Sequence, residues 1–495
     1  MKTTFVQATR VATLIAAPSI ALAQQGPAVR RISTASALST EQLGNIVNVR
    51  ELSGGRVLVN DGARRRLLMM DSTLKVREVV LDSMTEVANA YGVRQGVLMA
   101  YRGDSSLFFD PMSYAVLVLD EDARIARVRS VPRVRDMGWL TSSNNWPGID
   151  SKGRLVYRIG AEAGPPRVAP PKGVPWFPQE PDSAFIVAMN FDTRKLDTLG
   201  AIRTPKQPFT VRRSGEFGFN FTSLANPMPA TDEWALLPDG AVAFVRGRDY
   251  RIEYRTADGT VTSSAKLPFD WQRMTEEDKQ KLVDSVKAAQ RKSAMTSYVA
   301  SMIRWVNQYN QQYPADFKAP DGYVPQQGYP KEWKLPPGVN LPPTYIFGCP
   351  PGVEPTIIPA ATQAGAPAAP IAPGPTNGTP SCIPQPITVA GGNVPTKPQL
   401  REQGVMQPDE LPDYRPPFAT GAVRADADGN LWIRTLSPKP IPGGPIYDIV
   451  SRAGELIDRL QLPPGYTLVG FGPGRVAYLS MRDPSGIHLA RVRLK

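Results

Sequence analysis

Six residues with oxygen-bearing side chains lie near the ends of predicted strands and are of the types that bind a hard cation. They are Asp61, Asp136, Asn144, Asn145, Asp150 and Asp232. Carboxylate and amide oxygens bind Ca²⁺, and bound Ca²⁺ polarises the carbonyl of a lactone or the phosphoryl group of a phosphoester. Asp and Asn are also the usual residues of turns, and the turn interpretation is favoured for all six. The sequence therefore assigns no catalytic, cofactor-binding or metal-binding residue.

The single histidine of the chain limits the chemistry further. His488 lies between Ile487 and Leu489 in a predicted strand, which favours a structural role. A zinc site built from several histidines and a serine triad with any other histidine are excluded. No G-x-S-x-G nucleophile elbow occurs, which argues against a peptidase. These absences favour a protein that is not an enzyme, and an enzyme without histidine stays open.

Aromatic residues and cysteines give two further candidate features. Trp139, Trp146, Trp176 and Tyr323 are candidates to line a carbohydrate or peptide groove, although buried packing is the more frequent use of such residues. The two cysteines, Cys349 and Cys382, are expected to form a disulfide if the protein is exported to an oxidising compartment. On the chain-entropy account, such a bridge would contribute about 3–4 kcal/mol to stability if the segment is otherwise ordered.

A glycine followed by a short apolar run recurs six times and indicates the architecture that must position these side chains. The runs are Gly55–Val59, Gly96–Ala100, Gly153–Tyr157, Gly240–Phe244, Gly429–Ile433 and Gly474–Tyr478. Each is followed by a second apolar run and, in most units, a polar turn. One repeated four-stranded unit of this kind is typical of a β-propeller blade.

Within each repeat, the glycine run is interpreted as the second strand of a blade. The clearer inner strands before it are Ile46–Val49, Trp139–Leu140, Trp234–Leu237, Ala422–Val423 and Leu468–Phe471. Asp239-Gly240 and Asp428-Gly429 are suited to tight hairpin turns that need positive φ. The sixth unit ends without an evident fourth strand, so residues 29–38 are predicted to pair with the last blade and cover its edge.

The longest interval between repeat glycines, 189 residues from Gly240 to Gly429, holds an insertion. Apolar residues at helical spacing from Thr275 to Tyr309 predict one broken helix or two, with Thr275 as the N-cap. The apolar face is expected to pack on the propeller, and a lid or docking arm is the alternative. Residues 311–400 contain 21 of the 51 prolines, which predicts a semi-rigid linker or loop.

The first 23 residues have the pattern of an export signal. Lys2 and Arg10 precede or flank an apolar stretch, and Ala21-Leu22-Ala23 fits a small-x-small cleavage site. We therefore expect a periplasmic or extracellular protein. No later run reaches the roughly 20 apolar residues of a membrane-spanning helix. The formal charge of +12 favours acidic surfaces, but no nucleic-acid-binding motif accompanies it, and nucleic acid is not an expected partner.

The repeat register, at its clearest in residues 239–244 and 428–433, resembles that of the NHL and TolB-like six-bladed propellers of exported bacterial proteins. The resemblance implies an all-β, six-bladed β-propeller with a helical and proline-rich insertion between blades four and five. The expected division is a signal peptide (1–23), blades one to four (24–271, with the N-terminal strand closing the last blade), the insertion (272–405) and blades five and six (406–495).

Two functions remain open from the sequence, beside a third interpretation in which the insertion docks a partner and the propeller only supports it. The first is a monomeric, non-catalytic binding or scaffold module for a peptide, glycan or protein ligand in the cell envelope, with no cofactor. The alternative is a calcium-dependent hydrolase of lactonase type with the metal in the central channel. The propeller fold itself does not decide between them, because unrelated activities use it.

Overall fold

The computed structural model describes residues 26–84, 89–142, 146–160, 182–205, 208–214, 218–312, 323–325, 345–347, 354–355, 381–382, 404–436 and 442–494. Backbone contacts divide the chain into two units. The first contains Met1–Phe209, Asn226–Gln280 and Met406–Lys495, and the second contains Thr210–Ala225 and Lys281–Val405. The first unit carries six β-sheets, which we call blades one to six in chain order.

Each blade is a sheet of consecutive antiparallel strands. Blades one to three contain Ile46–Glu51, Val57–Asp61, Arg66–Met70 and Val76–Leu81; Val97–Ala100, Ser106–Asp110, Ala115–Leu119 and Ile125–Ser130; and Gly148–Ile149, Leu155–Gly160, Ser183–Met189 and Leu196–Arg203. Blades four to six contain Glu233–Leu236, Val242–Arg246, Arg251–Arg255 and Val261–Ser263; Phe418–Ala425, Leu431–Thr435, Ile446–Val450 and Leu456–Gln461; and Tyr466–Gly472, Val476–Asp483 and Gly486–Arg493. The predicted fold class, a six-bladed β-propeller, is confirmed.

The core lies between the blades, because each blade buries both of its faces. Successive side chains of a strand point to opposite faces, so Val57 and Val59 pack against blade six while Leu58 packs against blade two. Six apolar clusters of this kind join each blade to the next, including blade six to blade one. The blades therefore form a closed ring. Because both faces of each strand are buried, the strand sequences are continuous apolar runs.

Buried tyrosines donate hydrogen bonds through their hydroxyl groups to the blades and to the segments that connect them. The hydroxyl donors and their acceptors are Tyr91 to Asn60, Tyr157 to Asp136, Tyr250 to Asp448 and Tyr478 to Glu51, at 2.6–2.7 Å. Buried polar groups cost free energy unless they are hydrogen-bonded. The two members of each pair satisfy one another, and the pairs of Tyr250 and Tyr478 join blade four to blade five and blade six to blade one.

The N-terminal segment supplies strands to two blades. Ala37–Leu38 pair antiparallel with Gly486–Arg493 and form the fourth strand of blade six. Val29–Arg31 pair in parallel with Leu456–Gln461 and add a fifth strand to blade five. The sequence placed all of residues 29–38 on the last blade, whereas the structure divides them, because a segment of this length reaches across both outer edges.

Removing residues 26–38 should lower the melting temperature and promote self-association. The truncation exposes the backbone groups of two outer strands, and each lost hydrogen bond costs about 0.5–1.5 kcal/mol. A chain that begins at residue 34 keeps Ala37–Leu38 and serves as the matched control. Calorimetry and size-exclusion chromatography provide the measurements, and an unchanged melting temperature for both chains would contradict the prediction.

Two strand assignments from the sequence are wrong. Gly96–Ala100 belongs to the first strand of blade two, and the second strand is Ser106–Asp110. The hairpin between them turns at Gly103, whose φ is +56°, and carries no Asp-Gly signal. Trp139–Leu140 lie in a short helix, Met137–Leu140, which buries Met137 and Leu140 on one face. The inner strand of blade three is Gly148–Ile149 instead.

Residues Glu276–Gln312, between blades four and five, form one continuous helix, and not a broken helix or two helices. Thr275 caps it as predicted: the Asp278 N–H donates to Thr275 Oγ1 at 3.2 Å, and the Thr275 N–H donates to Asp278 Oδ2 at 3.0 Å. Thr296 Oγ1 donates to the Lys292 carbonyl oxygen at 3.0 Å, so this hydroxyl is satisfied inside the helix. Thr296 therefore does not interrupt the helix.

The remaining regular elements among the residues that the structure describes are short. They are the 3₁₀ turns Ser53–Gly55, Val134–Asp136 and Pro408–Glu410, and the two-stranded pairs Phe209–Ser214 with Gly218–Ser223, Tyr323–Pro325 with Tyr345–Phe347, and Glu354–Pro355 with Ser381–Cys382. Cys349 lies outside the described residues and only the backbone of Cys382 is described, so their disulfide stays a prediction. In the portion of the chain that the structure describes, no helix is long and apolar enough to cross a bilayer.

Candidate functional site

A cavity of about 310 Å³ lies within the propeller unit, and its described wall comes from blades one, two, five and six and from residues that precede blade three. Blades one, two and six line it near the starts of their inner strands, and Thr141, Ser142, Trp146 and Pro147 line it ahead of blade three. Blade five contributes Gly421, Ala422 and Arg424 from its first strand, Arg434 from its second and Tyr447 from its third. The polar side chains on its described wall come from Asn45, Asn48, Gln95, Thr141, Ser142, Arg424, Arg434, Tyr447 and Thr467. A concave site with a few converging polar groups is the usual form of a small-ligand pocket.

Two arginines give the cavity its charge. The Arg424 guanidinium lies over the indole ring of Trp146, with Cζ 3.6 Å from the ring centroid. Burial lowers the pKa of Arg424 to about 10, and the nearby positive charge of Arg434 acts in the same direction. No Asp or Glu is among the described residues that line the cavity. Its wall is therefore cationic, with no acidic side chain of its own to balance the charge.

Tyr447 and Trp146 place aromatic rings next to these arginines. Burial raises the pKa of the Tyr447 hydroxyl, and the charges of Arg424 and Arg434 partly oppose that shift. Trp146 Nε1 is buried and has no hydrogen-bond partner in the described structure. An indole N–H can only donate, so it is an unused donor beside the cavity.

Glu233 lies just behind this wall. Its side chain is 2% exposed, and its Oε1 accepts a hydrogen bond at 2.9 Å from the N–H of Gly421, which itself lines the cavity. Burial raises the pKa of Glu233 to about 7, against the lowering effects of the Gly421 N–H and of Arg158. A carboxyl with this pKa is a candidate acid or base. Glu233 is not part of the described lining, however, and its carboxyl connects blades four and five.

The candidate cation ligands that the structure describes lie in different parts of the propeller, and their oxygens already accept hydrogen bonds or form ion pairs. Asp61 accepts from the N–H groups of Gly44 and Asn45, and Asp136 accepts from Tyr157 and pairs with Arg133. Each of these contacts orders a turn or an interblade boundary.

Asp150 and Asp232 have the same character. Asp150 accepts from the N–H groups of Lys152 and Arg154, and Asp232 pairs with Arg246 and accepts from the Gly247 N–H. Asn144 and Asn145 lie outside the described residues. Over the described ranges, no group of three His, Cys, Asp or Glu side chains is arranged to hold a metal ion.

The donor set of the cavity does not fit the calcium site of the lactonase alternative. A protein Ca²⁺ site takes 6–8 oxygen ligands and relies on carboxylates. The described wall offers amide oxygens, but it also carries two positively charged guanidinium groups, which repel a cation. The Oδ1 atom of Asn48 already accepts a hydrogen bond from Asn60 Nδ2 at 3.3 Å. The cavity therefore supports no reaction step that uses calcium.

The aromatic candidates and the histidine chosen from the sequence do not lie together in the structure. Trp146 lines the cavity, Trp139 is 40% exposed and is not part of its described wall, and Trp176 lies outside the described residues. Tyr323 is in a short strand of the second unit. His488 is structural: its Nδ1 is 3.0 Å from the Ser39 carbonyl oxygen and its Nε2 is 2.9 Å from Ser485 Oγ.

The ring of six blades and the cavity inside it define the class of the protein, a six-bladed β-propeller. No protein-family model matches the chain. No curated protein sequence matches it either.

Several solved propeller structures resemble it at low identity. Virginiamycin B lyase from Staphylococcus aureus is 13% identical over 48% of this chain and 74% of that one, with a TM-score of 0.25. The calcium-binding protein regucalcin from Agrobacterium tumefaciens is 10% identical over 94% and 98%, with a TM-score of 0.33. A gluconolactonase from Xanthomonas campestris is 10% identical over 94% and 99%, with a TM-score of 0.30. Likenesses this distant carry no argument about activity.

Proposed function

We propose that this protein is an exported, monomeric and non-catalytic binding module whose cavity receives part of a peptide, glycan or protein ligand. The observation that carries the proposal is the cavity of about 310 Å³, with its mixture of arginine, amide, hydroxyl and aromatic side chains. Such groups recognise polar ligands by hydrogen bonds and charge. A periplasmic or extracellular location follows from the proposed export signal.

The chemistry of the wall supports recognition over catalysis. General acid–base catalysis needs a group with a pKa near the working pH that reaches the reacting atom. Arg424, with a pKa of about 10, and the amide and hydroxyl side chains do not meet this requirement. Glu233 has a suitable pKa but only 2% exposure, and it is already bonded to Gly421. The accessible groups can therefore bind and orient a ligand.

Filling the cavity tests the proposal. Thr467 lines the cavity from an exposed position of blade six, so Thr467→Trp should occupy it without disturbing the core. Melting temperatures would be measured with a panel of neutral oligosaccharides, uronate-containing oligosaccharides and short peptides. At least one of these classes should stabilise the wild type and not the Thr467→Trp variant. Ser130→Trp, at an exposed outer-strand position of blade two, is the matched control.

Each other outcome counts against the proposal. Equal stabilisation of wild type and Thr467→Trp would place binding outside the cavity. Conversion of the stabilising compound into a product would show that the protein is an enzyme. If no compound stabilises the wild type more than the filled variant, the cavity is not a binding site for these ligand classes.

A further inference from the structure

We propose that the part of the ligand that enters the cavity is an oxyanion, a carboxylate or a phosphate group, bound by Arg424 and Arg434. This inference rests on the proposed function, and it names the chemical class that the site recognises. Both arginines line the same cavity.

Arg424 differs from several other partly buried arginines of this protein in having no acidic partner. Elsewhere carboxylates neutralise them: Arg66 pairs with Asp61, Arg154 with Asp150, Arg246 with Glu253 and Arg459 with Asp448. Among the described residues, neither Arg424 nor Arg434 forms an ion pair. Taking a charge out of water is costly unless it is paired. Arg424 is such a charge, and the exposed Arg434 adds a second unpaired charge beside it, so an anion from outside the chain completes the site.

The orientation of Arg424 leaves its hydrogen-bond donors available. Its flat face stacks on Trp146, and the guanidinium N–H groups lie in the plane of the group, pointing away from that contact. An arginine fork in this geometry matches the two oxygens of a carboxylate or phosphate. Stacking also holds the side chain in place, which reduces the entropy lost on binding.

The environment of Arg424 indicates the same ligand charge. Burial and the charge of Arg434 lower the pKa of Arg424 to about 10, against the raising effect of Tyr447, so both disfavour the charged form of Arg424. A bound oxyanion reverses this effect. Gln95, Ser142 and Thr467 also line the cavity and offer amide and hydroxyl donors for the rest of the ligand.

Anion titration tests this inference. Inorganic phosphate and sodium glucuronate would be titrated into the full chain by calorimetry, with sodium chloride keeping the ionic strength constant and glucose as the neutral control. The wild type should bind phosphate, glucuronate or both, and should not bind glucose comparably. Tighter binding of phosphate points to a phosphorylated ligand, and tighter binding of glucuronate points to a carboxylate ligand.

Charge removal then assigns the binding to the cavity. Arg424→Gln and Arg434→Gln should each weaken anion binding by about 10- to 100-fold, the usual loss for a charge-assisted hydrogen bond. Arg424→Lys keeps the charge but not the fork and should give an intermediate affinity. Arg127→Gln removes an exposed arginine of blade two and should change nothing. Melting temperatures of all variants show that each is folded.

Specific results would overturn the inference. Equal weakening by Arg127→Gln, or no preference for phosphate and glucuronate over chloride, would leave only a general attraction of anions to a basic protein. If a neutral ligand binds the wild type and Arg424→Gln equally and is lost in Thr467→Trp, the binding module stands and the oxyanion inference fails. If anions bind the wild type and Thr467→Trp equally, the cavity is not the site and both proposals fail.

Discussion

Replacing Asp448 by leucine should lower the free energy of unfolding by about 3–5 kcal/mol, because it leaves a partly buried charge and a buried hydroxyl without their partner. Asp448 is 2% exposed. Its Oδ2 accepts from the Tyr250 hydroxyl at 2.7 Å, and its Oδ1 accepts from Arg459 Nε at 3.0 Å. Because Tyr250 belongs to blade four and Asp448 to blade five, the change weakens one boundary of the ring. Urea unfolding followed by tryptophan fluorescence measures the loss.

Two further variants separate the causes of this loss. Asp448→Asn keeps an oxygen acceptor for Tyr250 and removes only the charge beside Arg459, so it should cost less than the leucine change. Asp192→Ala removes the partner of Arg129 at the surface, where Asp192 is 84% exposed, and should cost no more than about 1 kcal/mol. Similar losses for all three variants would show that burial does not control the contribution of these pairs.

Raising the pH from 5 to 8 should lower the free energy of unfolding by about 3 kcal/mol through Glu233 alone. Burial raises the pKa of this carboxyl from 4.5 to about 7. Between these values the folded protein holds a proton that the unfolded chain has released, so stability falls as the pH rises through this window. Above about pH 8, where the carboxyl is ionised in both states, the contribution is constant. Urea unfolding at pH 5, 6, 7 and 8 measures the slope.

Glu233→Gln isolates this contribution. The glutamine amide keeps an oxygen acceptor for the Gly421 N–H but does not ionise. The variant should therefore lack this part of the pH slope and should be more stable than the wild type at pH 8. Arg158 favours the charged form of Glu233 and Asp232 disfavours it, and both remain in the variant. Parallel pH slopes for the two proteins would contradict the assignment to Glu233.

The fold could be predicted from the sequence where its signals are local. The hairpins at Asp239-Gly240 and Asp428-Gly429 were located correctly because the turn itself requires positive φ, which is +83° at Gly240 and +84° at Gly429. The first and second strands of a blade carry the same apolar pattern, since both are buried on two faces, and this explains the wrong register at Gly96. Periodicity cannot distinguish such strands.

The candidate site was less accessible to sequence reasoning because it is assembled from distant segments. Trp146 could be chosen as an aromatic of a possible groove, but its partner Arg424 is in another blade. Nothing in a single sequence shows which of 57 lysines and arginines lack an acidic neighbour in the fold. One local signal was present: Val423 packs between blades four and five, so strand alternation directs Arg424 to the opposite side.

The pairing of the N-terminal segment with the last blades also determines when folding can finish. The hydrogen bond from the Leu489 N–H to Ser39 Oγ joins residues 450 positions apart. During synthesis, Ser39 is made early and waits for almost the entire chain before this contact is possible. Closing so large a loop carries an entropic cost, and contacts distant in sequence slow folding. We therefore expect ring closure to be a late step in folding, with nascent chains keeping open strand edges until the sixth blade has been synthesised.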